Sequence, residues 1–352
     1  MSNNKDIIKP RRGLPRTNKI ILPSCRTWLS VANFIATMSS NYSMMQLKII
    51  ILIIEQMQSD ISKAINHQEL DLFGGQNKDS ITVDIDYKSL GVESNKYGYV
   101  RKLATQMVST PVTFDVENPE TGERGWFCIG FISSVYIPSK YSRSFSVEIR
   151  KEVLDILLKV DKGFTQFIKE IAFNASSKYT IKMYLLISSW RTKGGFSIDM
   201  GKFRKWLLLE DKYKDYKDLY KRVIRPVYEE LFEHSNCWFE VAEVYRPTDS
   251  QPYKLNFKVV RQPLSQKDKE MLELKKKNIA TMCERHLGMS RKQIDDVLSI
   301  VDLSNVDRAT NKIVDLGQYL QKHIGDINDV SEYCYKSLKR EIDVCGIIGE
   351  SL

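Results

Sequence analysis

In the stretch "YKDYKDLYKRVIRPVYEEL", from Tyr213 to Leu231, cations recur at short intervals: Lys214, Lys217, Lys221, Arg222 and Arg225. On a helical wheel Lys214, Lys217, Lys221 and Arg225 fall within about 80° of one another, with Tyr216, Tyr220, Val223, Val227 and Leu231 opposite. One face can be buried while the other stays cationic. The chemistry open to that face is ionic. Lys meets phosphate oxygens, and Arg pairs bidentately with phosphate or with a guanine edge. Pro226 lacks a backbone donor and its ring clashes with the carbonyl of Arg222, so a kink or a helix restart is expected there. A bend beyond the basic turns would carry Glu229 and Glu230 away from a bound polyanion.

Bond-making chemistry finds little support. No Gly-x-x-x-x-Gly-Lys-[Ser/Thr] cradle for a nucleotide is present. The 4 histidines, His67, His234, His286 and His323, are isolated from one another, so no His-x-His or His-x-x-x-His pair can hold a metal for strand nicking. The 6 cysteines include no Cys-x-x-Cys, which argues against a disulfide framework or a zinc cage. The 17 tyrosines read as packing or stacking groups rather than nucleophiles. The chain is expected to be no enzyme and to need no metal or cofactor.

Composition points the same way. The chain has 352 residues, 42% hydrophobic, enough for two domains and a smaller third piece. Its formal net charge of +9 favours an acidic partner, nucleic acid first and an anionic membrane surface second. The first residues carry Lys5, Lys9, Arg11, Arg12, Arg16, Lys19 and Arg26 without the apolar run of a signal peptide. The longest apolar run, Ile49 to Ile54, is far too short to span a bilayer. A cytoplasmic location is expected.

The elements that must hold the cationic face follow from periodicity and caps. Residues 1–26 read as a basic flexible arm. Trp28 to Met38 reads as a helix, and Ser43 with Gln46 forms a capping box opening a second helix to about Met57. The segment 59–80 reads as a loop. Ile81–Ile85 reads as a strand, Asp86 as the cap of a short helix containing Leu90, and Asn95 to Ser109 as a further helix. Val112–Val116 and Trp126–Tyr136 read as a hairpin, followed by a strand at Phe145–Ile149 and the helix "IRKEVLDILLKV". Then "FTQFIKEIAFN" and "SKYTIKMYLLISSW" read as helices, "RTKGGFSID" as a turn and strand, and "MGKFRKWLLL" as a helix before the Tyr213–Leu231 stretch. A second hairpin, Cys237–Tyr245 and Tyr253–Val260, closes around "RPTDSQP". Beyond it lie four helical segments, with Ser265, Ser290, Ser304 and Asn328 where N-caps should sit.

The two halves repeat one order: helix, strand, helix, helix, hairpin. Ile85-Asp86-x-x-x-Leu90 answers Ile198-Asp199-x-x-x-Phe203, and Phe114-Asp115-Val116 answers Phe239-Glu240-Val241. That order is a winged helix, a helix-turn-helix with a β-hairpin wing, whose second helix enters the major groove. The Tyr213–Leu231 stretch falls at the recognition position, and Arg246 and Lys254 flank the tip of its wing. In the first half the matching helix offers Lys96, Arg101 and Lys102, with Tyr97 and Tyr99 divided between packing on sugar and packing in the core.

At these residues the sequence resembles the Rep family of theta-replicating, iteron-type plasmids, which includes the F-plasmid initiator. The likeness is carried by "SSKYTIKMYLLISSW", by Met183-Tyr184 within it, and by Tyr213, Tyr216, Leu219, Arg222, Val223, Ile224 and Pro226. It extends more loosely to "WLSVANFIATM" and "MMQLKII". The resemblance implies a pair of winged helices on the direct repeats of a plasmid origin. It also implies duplex opening, recruitment of the host replication initiator and replicative helicase, a monomer–dimer equilibrium, and repression of the protein's own gene. By position the recognition role carries over to Lys217, Lys221, Arg222 and Arg225. The long helical tail departs from compact family members.

The expected fold is therefore α+β: tandem winged-helix domains with a C-terminal helical extension. Boundaries are placed at 1–26 for the arm, 27–160 and 161–262 for the two winged helices, and 263–352 for the extension. The second winged helix is the main reader of double-stranded DNA. The alternatives are a winged-helix transcriptional regulator without an initiation role, and an assembly protein that uses its helical tail.

Overall fold

The computed structural model describes residues 7–10, 26–65, 79–117, 123–138, 142–160, 163–263, 266–303, 305–323 and 329–343. Met1–Gln262 group as one compact unit and Pro263–Ile347 as a second.

In the first unit the order opens with β1 (Ile7–Pro10), β2 (Trp28–Ala32), α1 (Asn33–Thr37), β3 (Ser39–Ser40), α2 (Met44–Gln56) and α3 (Gln58–Ile65). It continues with β4 (Ser80–Asp86), α4 (Tyr97–Ser109), β5 (Pro111–Glu117), β6 (Arg124–Gly130), β7 (Ser134–Tyr136), β8 (Ser144–Arg150) and α5 (Lys151–Leu157). Then come β9 (Phe164–Ile168), α6 (Lys169–Asn174), α7 (Lys178–Ser189), β10 (Gly195–Asp199) and α8 (Met200–Leu207). The unit closes with α9 (Tyr216–Leu219), a π-helical turn (Tyr220–Ile224), α10 (Arg225–His234), β11 (Cys237–Tyr245) and β12 (Lys254–Arg261). The strands form sheets ordered β1-β11-β12-β10, β2-β9, β3-β5-β6 and β4-β8-β7.

α2 starts where its capping box predicts: Ser43 Oγ accepts from Gln46 N–H, and the Gln46 side chain accepts from Ser43 N–H at 2.8 Å. Ile49 to Ile54 are all buried, so α2 is enclosed on every side and acts as the core post of the first half. The second half is centred on aromatic rings. Phe203 from α8, Phe239 from β11 and Phe196 from β10 each pack on Phe257 of β12, with centroids 5.6, 5.3 and 5.0 Å away. β10 lies so close to β12 that a Cβ at Gly195 would collide with the carbonyl of Phe257, and its φ of +156° suits glycine alone. This close seam presses the strand before α8 onto the wing.

Several expectations are corrected. Trp28–Ala32 is a strand, not the start of a helix, and "FTQFI" is its antiparallel partner β9, with Ser30 opposite Gln166. The beginning of segment 59–80, read as a loop, lies in α3, Gln58–Ile65, and residues 66–78 lie outside the described residues. Asp86 caps no helix: its carboxylate accepts from Lys88 N–H at 3.1 Å, and a turn ends at Gly91 with φ +67°. Within the arm, Ile7–Pro10 pairs with β11 as an edge strand. The rest of the arm before Arg26 lies outside the described residues. Trp126–Tyr136 divides between β6 and β7, which belong to different sheets.

The second unit holds α11 (Gln266–Leu287), α12 (Arg291–Ile300), α13 (Val306–His323) and α14 (Val330–Asp343). Its core includes Ile279, Cys283, Val297, Ile313, Cys334 and Leu338. Ser290 and Gln293 form a full capping box on α12. α14 is capped one residue later than expected, by Asp329, whose carboxylate accepts from Glu332 N–H at 2.9 Å. Ser265, Ser304 and Asn328 lie outside the described residues.

Candidate nucleic-acid interface

The helix-turn-helix of the second half is built from α8, a tight connection and α9. Leu208 ends α8 in the left-handed region with φ 55°, and Tyr213 repeats that geometry with φ 53°. Such residues without glycine need outside support, and at Tyr213 Arg204 of α8 supplies it. Its guanidinium donates to the carbonyls of Lys212 at 3.1 Å, Tyr213 at 2.7 Å and Lys214 at 3.0 Å. Burial holds the Arg204 guanidinium below its ordinary pKa, and Asp215 opposes that shift. The connection is thus clamped by one fork of donors.

α9 begins at Tyr216, later than the wheel placed it. Asp215 caps it by accepting from Lys217 N–H at 2.9 Å, and the wing residue Gln251 accepts from Tyr216 N–H at 2.8 Å. The wing loop is therefore tied to the start of α9. Lys214 lies in the connection, before the helix, not on its face. Lys217, Lys221, Arg222 and Arg225 are exposed, whereas Tyr216, Leu219, Val223, Ile224, Val227, Tyr228 and Leu231 are buried. One side is cationic and the other apolar, as the spacing requires.

Pro226 neither stops the helix nor forces a restart from coil. Helical geometry runs from Tyr216 to His234, and Arg225 N–H donates to the carbonyl of Tyr220, five residues back. The wide π turn delivers the chain to a proline that has no donor, and Pro226 then sits in the first turn of α10. Glu229 and Glu230 do not simply turn away. Glu229 holds Arg225 by an ion pair of 2.8 Å, which raises the Arg225 pKa. Glu230 accepts from Ser176 N–H at 2.6 Å, Ser176 Oγ at 2.7 Å and Thr180 Oγ1 at 2.6 Å, fastening α10 to the start of α7.

The remaining expected cations are spread more widely. Arg222 lies 5.9 Å from the Tyr213 ring centroid, and Arg246, at the wing tip, lies 4.8 Å from that of Tyr253. Lys254 opens β12 and is half-buried. In the first half Lys96 and Lys102 are exposed on and before α4. Arg101 is partly committed, donating from Nε to Tyr87 Oη at 3.0 Å. The two tyrosines divide: Tyr97 stacks on Tyr87 at 4.1 Å, and Tyr99 is 57% exposed.

Sequence reasoning missed Arg204, Gln251 and Glu230, which position the cations without contributing to the wheel. It also missed Lys205, which lies 4.3 Å from the ring centroid of Trp126 on β6. No group of three or more His, Cys, Asp or Glu that could hold a metal ion occurs among the described residues. No described helix is long and apolar enough to cross a membrane.

Comparison with known proteins places these modules. The family model described as "Initiator Replication protein, WH1" matches residues 29–188, and that described as "Initiator Rep protein, WH2" matches residues 199–258. A "Replication initiation protein" of Escherichia coli is 24% identical over 165 residues, 44% of this chain and 48% of that protein. The match thus spans about half the length of that relative. The fold is similar to that in "Crystal structure of Pi initiator protein in complex with iteron DNA", with a TM-score of 0.50 and 13% identity over 68% of this chain and 98% of that one.

Proposed function

The chain belongs to the family of initiator replication proteins, and from this we propose that it binds double-stranded origin DNA sequence-specifically and initiates plasmid replication there. The observation that carries the reading is the coincidence of the WH2 match with the helix-turn-helix, whose exposed Lys217, Lys221 and Arg222 lie opposite a buried apolar side. In this reading α9 and the following helical turns enter the major groove, and Arg246 and Lys254 of the wing meet phosphates. Lys96, just before α4, and Arg101 and Lys102 of α4 make a second, weaker contact. The protein acts without catalysis of its own, in the cytoplasm. It recruits the host replication initiator and replicative helicase, exchanges between monomer and dimer, and represses its own gene. A winged-helix regulator without an initiation role is the less favoured reading, because both halves match initiator families.

A footprint tests the arrangement. With one winged helix per major groove, the site spans roughly 20 base pairs, with two protected grooves about one turn apart on one face. A single short protected patch sinks the tandem reading. Binding to one inverted repeat, with no affinity for direct repeats, favours the regulator.

Arg204 supplies a second test. Arg204→Lys keeps the charge but cannot span three carbonyls, so it is expected to weaken binding by about 1–2 kcal/mol, nearly as much as Arg204→Ala. Fluorescence anisotropy against a labelled repeat reads both. Full affinity in Arg204→Lys would show that the guanidinium clamp does not position the helix.

A further inference from the structure

The helical unit differs from the rest of the chain in charge. Between residues 263 and 347 there are 14 lysines and arginines against 14 aspartates and glutamates, so the net charge of +9 resides entirely outside it. A module with no net positive charge is poorly suited to follow a phosphate backbone. Its function is better sought in its surface than in its field.

In this unit the C-terminal turns of α11, the middle and C-terminal turns of α13 and the start of α14 surround an open cavity of about 840 Å³. Its apolar lining includes Met282, Ile313, Leu320 and Val330, together with Val314, which is 43% exposed. Arg285 and His286 are exposed and belong to its lining, and no aspartate or glutamate is among the described lining residues. The first turn of the 14-residue helix α14 also contributes, through Val330 and Ser331.

Gly317 is the second observation. It lies inside α13, lines the cavity, and a Cβ built there would meet nothing within 4 Å. A glycine inside a helix costs about 1 kcal/mol relative to alanine. Neither a positive φ nor a close neighbour requires it at this position. It keeps the wall of the cavity low.

We propose that this cavity is a docking groove for an acidic amphipathic helix of another protein. Leucine-type side chains at i, i+3 or i+4 and i+7 fill the apolar floor, and carboxylates on the flanks meet Arg285 and His286. A two-fold pairing of this region with itself would bring two Arg285-bearing surfaces together with no carboxylate among the described lining residues to pair them, which disfavours a second copy as the occupant. The proposal does not depend on the reading of the winged helices.

The test uses the full chain and a fluorescein-labelled synthetic helix of about 16 residues, with leucines at those spacings and glutamates elsewhere. Its counterpart carries lysine in place of every glutamate. The glutamate peptide is expected to bind and the lysine peptide to bind at least about tenfold more weakly. Arg285→Glu and Gly317→Trp should each weaken the glutamate peptide about tenfold, while Gly317→Ala binds it normally. Unchanged circular dichroism and unchanged binding of origin DNA would show that the variants fold, so a failure of this proposal is distinct from a failure of DNA recognition. Equal binding of both peptides, or full binding by both Arg285→Glu and Gly317→Trp, overturns the proposal. So does displacement of the peptide by DNA. A concentration-dependent dimer in sedimentation that Gly317→Trp dissolves assigns the groove to a second copy, and overturns it as well.

Discussion

Replacing Lys221 and Arg222 together by alanine is expected to weaken binding to an origin repeat by about 2–6 kcal/mol, a loss of roughly thirtyfold to twenty-thousandfold. Both side chains are exposed on the helical stretch that follows the Arg204 clamp. A lost base contact costs about 1–3 kcal/mol, and a lost phosphate contact lowers the salt slope by about 1. The single variants separate the two roles: a phosphate contact loses affinity on every sequence, whereas a base contact loses it on the true repeat. Arg225→Ala should cost less than either, because Arg225 is already paired with Glu229 at 2.8 Å and would have to leave that partner to reach DNA. Lys275→Ala with Lys276→Ala, in the neutral helical unit, removes the same charge and should leave binding intact. If the Lys221 and Arg222 variants bind as tightly as the wild type, the cationic face is merely solvated.

The cations were legible because exposed charge at helical spacing leaves a mark in a single stretch of chain. Capped helices were legible for a similar reason: Ser43 with Gln46, and Ser290 with Gln293, each make their cap within four residues. What failed depends on partners far away in the chain. The strand Trp28–Ala32 exists because Phe164–Ile168 lies beside it, and neither segment alternates cleanly enough to announce itself. All five residues of β9 are buried, so its apolar run could equally be read as a helix. Leu90 has helix-like neighbours, but the Asp86 side chain turns the backbone first and Gly91 ends the turn.

The same distinction runs through the site. Its charges came from one stretch, but their placement comes from Arg204, Gln251 and Glu230, each bonding backbone or side chains in another element. Arg204 is 9 residues from its closest carbonyl and Gln251 is 35 from the amide it accepts from, separations that no periodicity encodes. The restart expected at Pro226 occurs without leaving helical geometry, which a wheel of constant turn does not describe. The π turn at Tyr220–Ile224 widens the helix just ahead of Pro226, so that the chain remains helical through it.

Stability of the winged-helix unit is expected to rise by about 1.5–2 kcal/mol between pH 7 and 8.5, and Lys182→Met is expected to flatten that rise. Lys182 sits on α7 where the two halves meet, only 5% exposed. Its ammonium donates to the carbonyl of Ser40 in β3 at 2.9 Å and to that of Trp206 in α8 at 3.4 Å. Trp206 completes the junction by donating from Nε1 to the carbonyl of Thr37 at 3.0 Å. Burial, aided by the like charge of Lys178, holds the Lys182 pKa down to about 7. An unfolded lysine titrates near 10.4, so above pH 7 the unfolded chain holds a proton that the folded chain has released, and stability rises with pH. Below pH 7 both states are charged and the full penalty of burying the charge is in force. The rise is read below pH 8.5 because the thiol of Cys237, pushed up by burial, lowers the stability of this unit at higher pH. Urea midpoints at pH 7.0, 7.75 and 8.5 for wild type and Lys182→Met make the comparison, and parallel curves would show that Lys182 keeps its proton throughout.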